Sequence, residues 1–214
     1  MEEMIRALRE WNARVAQLKP LDADTLEPGH TLLVVIDMVN GFAREGALAS
    51  SQVAGIIPSV AGLAGRCARL GIPWLSLSDC HTAHSGEFAA FPPHCLEGTR
   101  EAELVDELKA VPGFTMVTKN STNGFLEEGF LRWLGTHPAV NTFVVAGDCT
   151  DICIQQFAQT LKCHFNRLDM PSRVIVPADA VATYDAPGHS AALCHVAALN
   201  SLMLGGVEVV SAVE

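Results

Sequence analysis

The chain has 214 residues, of which 49% are hydrophobic and 18% charged, with a formal net charge of −10. This describes one globular domain with a sizeable buried core and excludes a disordered chain. The acidic balance repels phosphate backbones and argues against nucleic acid as a partner; no apolar run reaches the ~18 residues of a membrane span.

Residues 1–18 read as an amphipathic helix, with Met4, Leu8, Trp11, Val15 and Leu18 at three- or four-residue spacing. This stretch is charged throughout and lacks the apolar centre of a secretory leader, so a cytoplasmic protein is expected. Pro20 and Pro28 bracket a loop. Residues 1–29 are therefore expected to be an appendage to a domain at 30–214.

From residue 31 onward, short apolar runs alternate with helical patterns. The runs are Thr31–Ile36, Pro73–Ser78, Phe114–Thr118, Thr142–Ala146, Arg173–Pro177 and Val207–Val210. They lack polar alternation, which predicts strands covered on both faces. Helical patterns lie at 51–70, 100–110, 125–135, 151–164 and 187–203. This order predicts right-handed crossovers and a three-layer α/β/α domain around a six-stranded parallel sheet.

Ligands of such sheets bind beyond the carboxyl ends of the strands. Asp37, Asp79, Lys119 and the segment Gly147–Cys153 follow apolar runs and are predicted to meet at one rim. Singly they are weak signals: an Asp after a strand is often a cap, and most lysines are surface charges. Cys153 follows a strand and a glycine turn at the start of a predicted helix. Free amides and the helix dipole there would favour a thiolate. The seven cysteines are odd in number, with no CxxC pair and no disulfide spacing, so most are expected to be buried apolar residues.

A second cluster follows the second run. Asp79 and His81 stand two apart, and His94 comes thirteen residues later. One carboxylate and two imidazoles suit a divalent metal with open positions; a polar loop with capping histidines is the plainer alternative.

Taken together, LLVVIDMVNGF, FTMVTKNSTNGF, VVAGDCTDIC, DCH at 79–81 and FPPHCLEGTREAE at 91–103 resemble the isochorismatase-like cysteine hydrolase superfamily, most closely its nicotinamidase branch. The resemblance covers residues 30–212. It implies Asp37, Lys119 and Cys153 as the catalytic group. Asp79, His81 and His94 would be metal ligands, with Glu87 as a fourth, while His84 matches no ligand position. It further implies a divalent cofactor (zinc, with iron or manganese as alternatives) and ring-binding Phe42 and Phe91. A cis peptide would join Asp148 to Cys149, and the amides of Cys149 and Cys153 would form an oxyanion hole. The implied substrate is a small amide, nicotinamide first, and the implied assembly is a homo-oligomer; the amphipathic N-terminal helix, outside the resemblance, is expected to serve that contact. The chain departs from the pattern at Val39, Cys80 and Cys149, which alters the size and polarity of the pocket. Another amide or carbamoyl hydrolase of the superfamily and a non-catalytic ligand-binding member are the alternatives. Isochorismatase activity itself is disfavoured by Cys153.

Overall fold

The computed structural model describes all 214 residues. Seven strands form one sheet: β1 (Thr31–Ile36), β2 (Trp74–Asp79), β3 (Phe114–Lys119), β4 (Thr142–Asp148), β5 (Arg173–Pro177), β6 (Val181–Ala182) and β7 (Glu208–Val210). Six run in the order β3-β2-β1-β4-β5-β7, and β6 pairs with the end of β4. Every pairing is parallel. The six apolar runs correspond to the six strands of the main order. The two-residue β6 is too short for any periodicity to reveal.

Seven α-helices accompany the sheet: α1 (Glu2–Ala16), α2 (Asn40–Ala43), α3 (Ser51–Arg69), α4 (Asp106–Lys109), α5 (Glu128–Thr136), α6 (Gln155–Arg167) and α7 (Ala191–Leu204). Alternate side chains of β1 enter two separate cores, Leu33 and Val35 on one face and Leu32, Val34 and Ile36 on the other. α3 covers the first face with Val53, Ile57, Val60 and Leu63, residues at helical spacing. Its start is set by Ser50, whose hydroxyl accepts the Gln52 amide. The opposite face is filled by Phe130 of α5, Phe157, Leu161 and Phe165 of α6, and Leu199 and Leu202 of α7. The three-layer α/β/α architecture follows.

Two expectations change in detail. β3 lies at the edge, so Thr115, Met116 and Thr118 are exposed rather than covered on both faces. The helix expected at 100–110 is a single turn at Arg100–Ala102 followed by the four-residue α4. The intervening backbone is taken elsewhere: Glu103 accepts the Asn40 amide, and the Val105 amide donates to Met38. Those groups are therefore unavailable to a continuous helix.

At the other end of the chain, α1 lies against α7, where the Arg14 guanidinium donates to Asn200 Oδ1 at 3.1 Å. The following segment joins the C-terminus: the Ser211 amide donates to Lys19, and Leu21 and Ala23 bond with Ala212 and Glu214.

Register positions the chemistry. Ile36 pairs with Leu77 on one side and with Gly147 on the other, and Asp79 pairs with Lys119. The carboxyl ends of four adjacent strands are thus level. Gly147 is the tightest point, with φ +117 and with the place of a Cβ only 1.9 Å from the Ile36 carbonyl oxygen. Gly147→Ala is expected to cost about 3 kcal/mol or more. Gly71→Ala, also at positive φ but with no atom within 4 Å, should cost only the backbone penalty of about 1–2 kcal/mol. Urea denaturation checks both; equal losses would remove the close approach as the cause.

Candidate active site

β1 ends in Asp37, a non-glycine residue at φ 56, which turns the chain sharply out of the sheet. Asp and Asn tolerate this conformation better than most residues. The turn leaves the carboxylate wholly buried at the rim. Its Oδ1 accepts the Asp79 amide at 2.8 Å, and its Oδ2 lies 2.8 Å from Lys119 Nζ. Lys119, at the end of β3, also donates to Asp79 Oδ1 and to the Ser121 carbonyl, and its Nζ is 3.8 Å from Cys153 Sγ. One buried ammonium thus joins two aspartates and a thiol. Asp37 Oδ2, although near the ammonium, makes no well-aligned hydrogen bond and stays open.

Cys153 lies in a π-helical turn, Thr150–Ile154, that leads into α6. The turn is anchored by Thr150 Oγ1, 3.0 Å from His195 Nδ1, and by Asp151 Oδ2, 2.8 Å from His189 Nε2. The peptide bond Asp148–Cys149 is cis. The Cys149 amide donates to no group of the protein.

The electrostatics correct one expectation. Burial pushes the Cys153 thiol well above its ordinary value; Lys119 pulls it down, but Asp37, Asp79 and Asp148 add to the rise. The resting group is therefore a thiol, because dehydration and three carboxyls outweigh the helix terminus and one ammonium. Asp37 is pushed up to about 7 by burial and by the charge of Asp79, against Lys119. Burial acts the same way on Asp79, but Lys119, together with His81 and His94 beside its other oxygen, holds that carboxylate well below the usual range.

Asp79, His81, Glu87 and His94 gather within 4.8 Å of one another, and His84 stays outside the group. His81 Nε2 and His94 Nε2 lie 3.4 and 3.5 Å from Asp79 Oδ2, and Glu87 Oε1 is 4.0 Å from His81 Nε2. The far nitrogens are held from behind. His81 Nδ1 meets Asn120 Oδ1 at 3.0 Å and His94 Nδ1 donates to the Pro92 carbonyl at 2.8 Å. Both Nε2 lone pairs then face the carboxylate, and His81 Nε2 is buried without a partner. Two lone pairs aimed at one carboxylate oxygen, with both outer nitrogens fixed, suit a divalent cation between them.

A narrow pocket joins the two clusters. Its lining includes Asp79, Glu87, His94, Cys149 and Cys153, with Phe42 and Phe91 among its apolar walls. Its narrowness and mostly apolar lining suit a small flat guest. Asp37, Lys119, Cys149, Cys153, Asp79, His81, Glu87, His94, Phe42 and Phe91 are therefore brought together in one place. The sequence reading missed Tyr184 and Ile152, which also line the pocket, and Phe88, whose ring lies 5.4 Å from His81 and 5.8 Å from His94. It also missed the carboxyl of Asp148. Its only signal was an acid ending a strand otherwise written in apolar residues.

Because the Cys153 thiol is buried and protonated at rest, iodoacetamide at pH 7 should modify exposed Cys163 before it. Peptide mass mapping over time checks this; Cys153 modified first would contradict the assignment of a resting thiol.

Comparison with known proteins agrees with this geometry. The family model described as the isochorismatase domain matches residues 31–212. Nicotinamidase 1 of Arabidopsis thaliana is 32% identical over 177 residues, covering 74% of this chain and 72% of that protein. A ureidoacrylate amidohydrolase of Pseudomonas savastanoi is 28% identical over 171 residues, covering 67% and 69%. Among solved structures, a nicotinamidase/pyrazinamidase from Bacillus subtilis superposes with a TM-score of 0.72 at 24% identity, covering 85% of this chain and 99% of that one. N-carbamoylsarcosine amidase from Thermoplasma acidophilum superposes with 0.70 at 24% identity, covering 84% and 95%. The chain belongs to the isochorismatase family of hydrolases, on the branch that carries the nicotinamidases.

Proposed function

We propose that the protein is a metal-containing cysteine amidohydrolase that converts nicotinamide to nicotinate and ammonia. One observation carries this reading. The Asp37–Lys119–Cys153 group and the Asp79–His81–Glu87–His94 group open into a single pocket with aromatic walls.

An amide is a poor electrophile, and a covalent intermediate divides its hydrolysis into two easier steps. Cys153 Sγ attacks the carboxamide carbon while the thiol proton passes to the open Oδ2 of Asp37. A buried carboxyl raised to about 7 is suited to take that proton and return it near neutral pH. The unengaged Cys149 amide, together with that of Cys153, faces the developing oxyanion. The carbon–nitrogen bond breaks, and ammonia leaves with the proton from Asp37. Water then attacks the thioester, Asp37 takes its proton, and Cys153 is released as the thiol. Lys119 holds Asp37 in place through both steps and offsets the charge that forms on sulfur.

Asp79, His81 and His94, with Glu87, would hold the divalent ion: zinc, with iron or manganese as the alternatives. Bound there, it supplies a Lewis-acid anchor for the pyridine nitrogen. Phe42 and Phe91 flank the ring so that the carboxamide is presented to Cys153.

Residues 30–214 carry this chemistry, and residues 1–29 are an appendage fastened to the C-terminus. Exposed Met4 and Ile5 of α1, with Met1 just before it, and Leu193 and Leu204 of α7 support a homo-oligomeric contact on this side. Seven unpaired cysteines support a reducing, cytoplasmic setting. No helix is long and apolar enough to cross a membrane.

The purified protein should release ammonia from nicotinamide, lose this activity on chelation and regain it with added zinc, iron or manganese. Cys153→Ala should reduce turnover by at least about 10³-fold with fold and metal content unchanged. His94→Ala should lower bound metal, measured by elemental analysis. Activity retained by Cys153→Ala would sink the nucleophile. Deleting residues 1–20 should delay elution in size-exclusion chromatography; an unchanged profile, after correction for mass, would count against α1 as a contact.

A further inference from the structure

One buried acid in the pocket has no task in this mechanism. Asp148 ends β4 and is 1% exposed, yet it lines the same pocket as Cys149 and Cys153. Its Oδ2 accepts only the weak donor Cys149 Sγ at 3.5 Å, and its Oδ1 has no partner at all. The ammonium that would naturally pair with it is already engaged by Asp37, Asp79 and the Ser121 carbonyl. No other hydrogen-bonding group of the protein reaches it. A buried carboxyl left this way costs stability, and an apolar residue of similar size would not. The orphaned oxygen therefore calls for a partner that arrives with the substrate.

Its position narrows what that partner is. Asp148 lines the pocket beside Cys149 and Cys153 and lies close enough to feel the charges of Asp37 and Lys119, so its carboxyl belongs to the reacting end of the pocket. The metal-ligating residues are accounted for by their own cluster. A carboxyl there, neutral or charged, accepts a hydrogen bond from an N–H or O–H group close to the scissile carboxamide. Burial and the charge of Asp37 push Asp148 well above the usual carboxylate range, so it can donate as well.

We propose that Asp148 is a specificity-determining residue that selects aromatic carboxamides bearing an N–H or O–H group on the ring carbon next to the carboxamide. This rests on the amidohydrolase reading and deepens it, since nicotinamide itself carries no such group. An unpaired polar group in a closed pocket disfavours a substrate that leaves it unpaired, and this is a stronger basis for selection than shape alone.

The test compares nicotinamide, 2-aminonicotinamide and 6-aminonicotinamide, the last with its amino group far from the carboxamide. For the metal-loaded wild type, kcat/KM should favour the 2-amino compound over both others by about tenfold or more. Asp148→Val should abolish that preference chiefly through a rise in KM for the 2-amino compound. Asp148→Asn, which keeps a hydrogen-bonding group, should retain part of it. Asp148→Val should also unfold at a higher temperature than the wild type, whereas a merely structural carboxyl would make it less stable. The same ratios in the wild type and Asp148→Val would overturn the proposal, as would a wild-type preference for nicotinamide. Binding to Cys153→Ala by calorimetry separates this from the reaction itself. Selective binding of the 2-amino compound that is lost in Cys153→Ala/Asp148→Val, without ammonia release by the wild type, would overturn the hydrolytic reading and sustain the role of Asp148. Hydrolysis of all three amides without discrimination would do the reverse.

Discussion

A single buried ammonium organises the rim of the sheet. Lys119 is almost wholly inaccessible, and Asp37 and Asp79, both at the ends of neighbouring strands, converge on it. An unpaired lysine at this depth would lose its proton, and two unpaired carboxylates would gain theirs. Together the aspartates hold Lys119 well above its ordinary value despite its burial. The level register of the parallel strands makes this possible, because Asp79 and Lys119 are direct sheet partners and Asp37 follows the next strand across. A slip of one residue would turn these side chains into the apolar layers.

One cation cannot neutralise three acids equally, and the three carboxyls consequently differ. Asp79 takes Lys119 on one oxygen and faces the two histidines with the other, and stays ionised. Asp37 shares the ammonium, but its burial and then the charge of Asp79 bring it to about 7. Asp148 makes no hydrogen bond with either, and burial and the charge of Asp37 push it well above the usual carboxylate range. The carboxylate of the Asp79–His81–Glu87–His94 group is thus the one whose charge, added to burial, raises the neighbouring Asp37. Replacing Asp79 would disturb both clusters, so its loss cannot be read as a metal effect alone.

Much of this was legible in the chain. Runs such as LLVVI and TFVVAG read as buried strands because helices cover both faces, and level strand ends bring Asp37, Asp79, Lys119 and Cys153 together. The exposed positions of β3 and the broken helix near 100–110 were not legible. An edge position and a competing set of backbone hydrogen bonds are properties of the assembled fold. The protonation of Cys153 was misread for a related reason. Proximity to a helix start is visible in sequence, but complete burial among three carboxyls is not. Asp148 was hidden because an acid at a strand end is ordinarily a solvated turn residue; only packing shows that its carboxyl is enclosed.

The turn that carries Cys153 is fixed by a second, smaller electrostatic device. His189 donates through Nδ1 to the Tyr184 carbonyl at 2.8 Å and presents Nε2 to Asp151 at 2.8 Å. Two acceptors on opposite nitrogens require the doubly protonated ring. Partial burial works against that charge, but the hydrogen bonds to Asp151 and Tyr184 prevail and raise His189 above 6.5. The sign follows: the pairing contributes fully below about 6.5 and is lost as pH rises through the raised value. Tyr184 stacks on the same ring, with centroids 4.1 Å apart, and also lines the pocket. The imidazolium therefore couples the turn that carries Cys153 to a wall of the pocket, so Cys153 and Tyr184 keep their relative positions through one shared side chain.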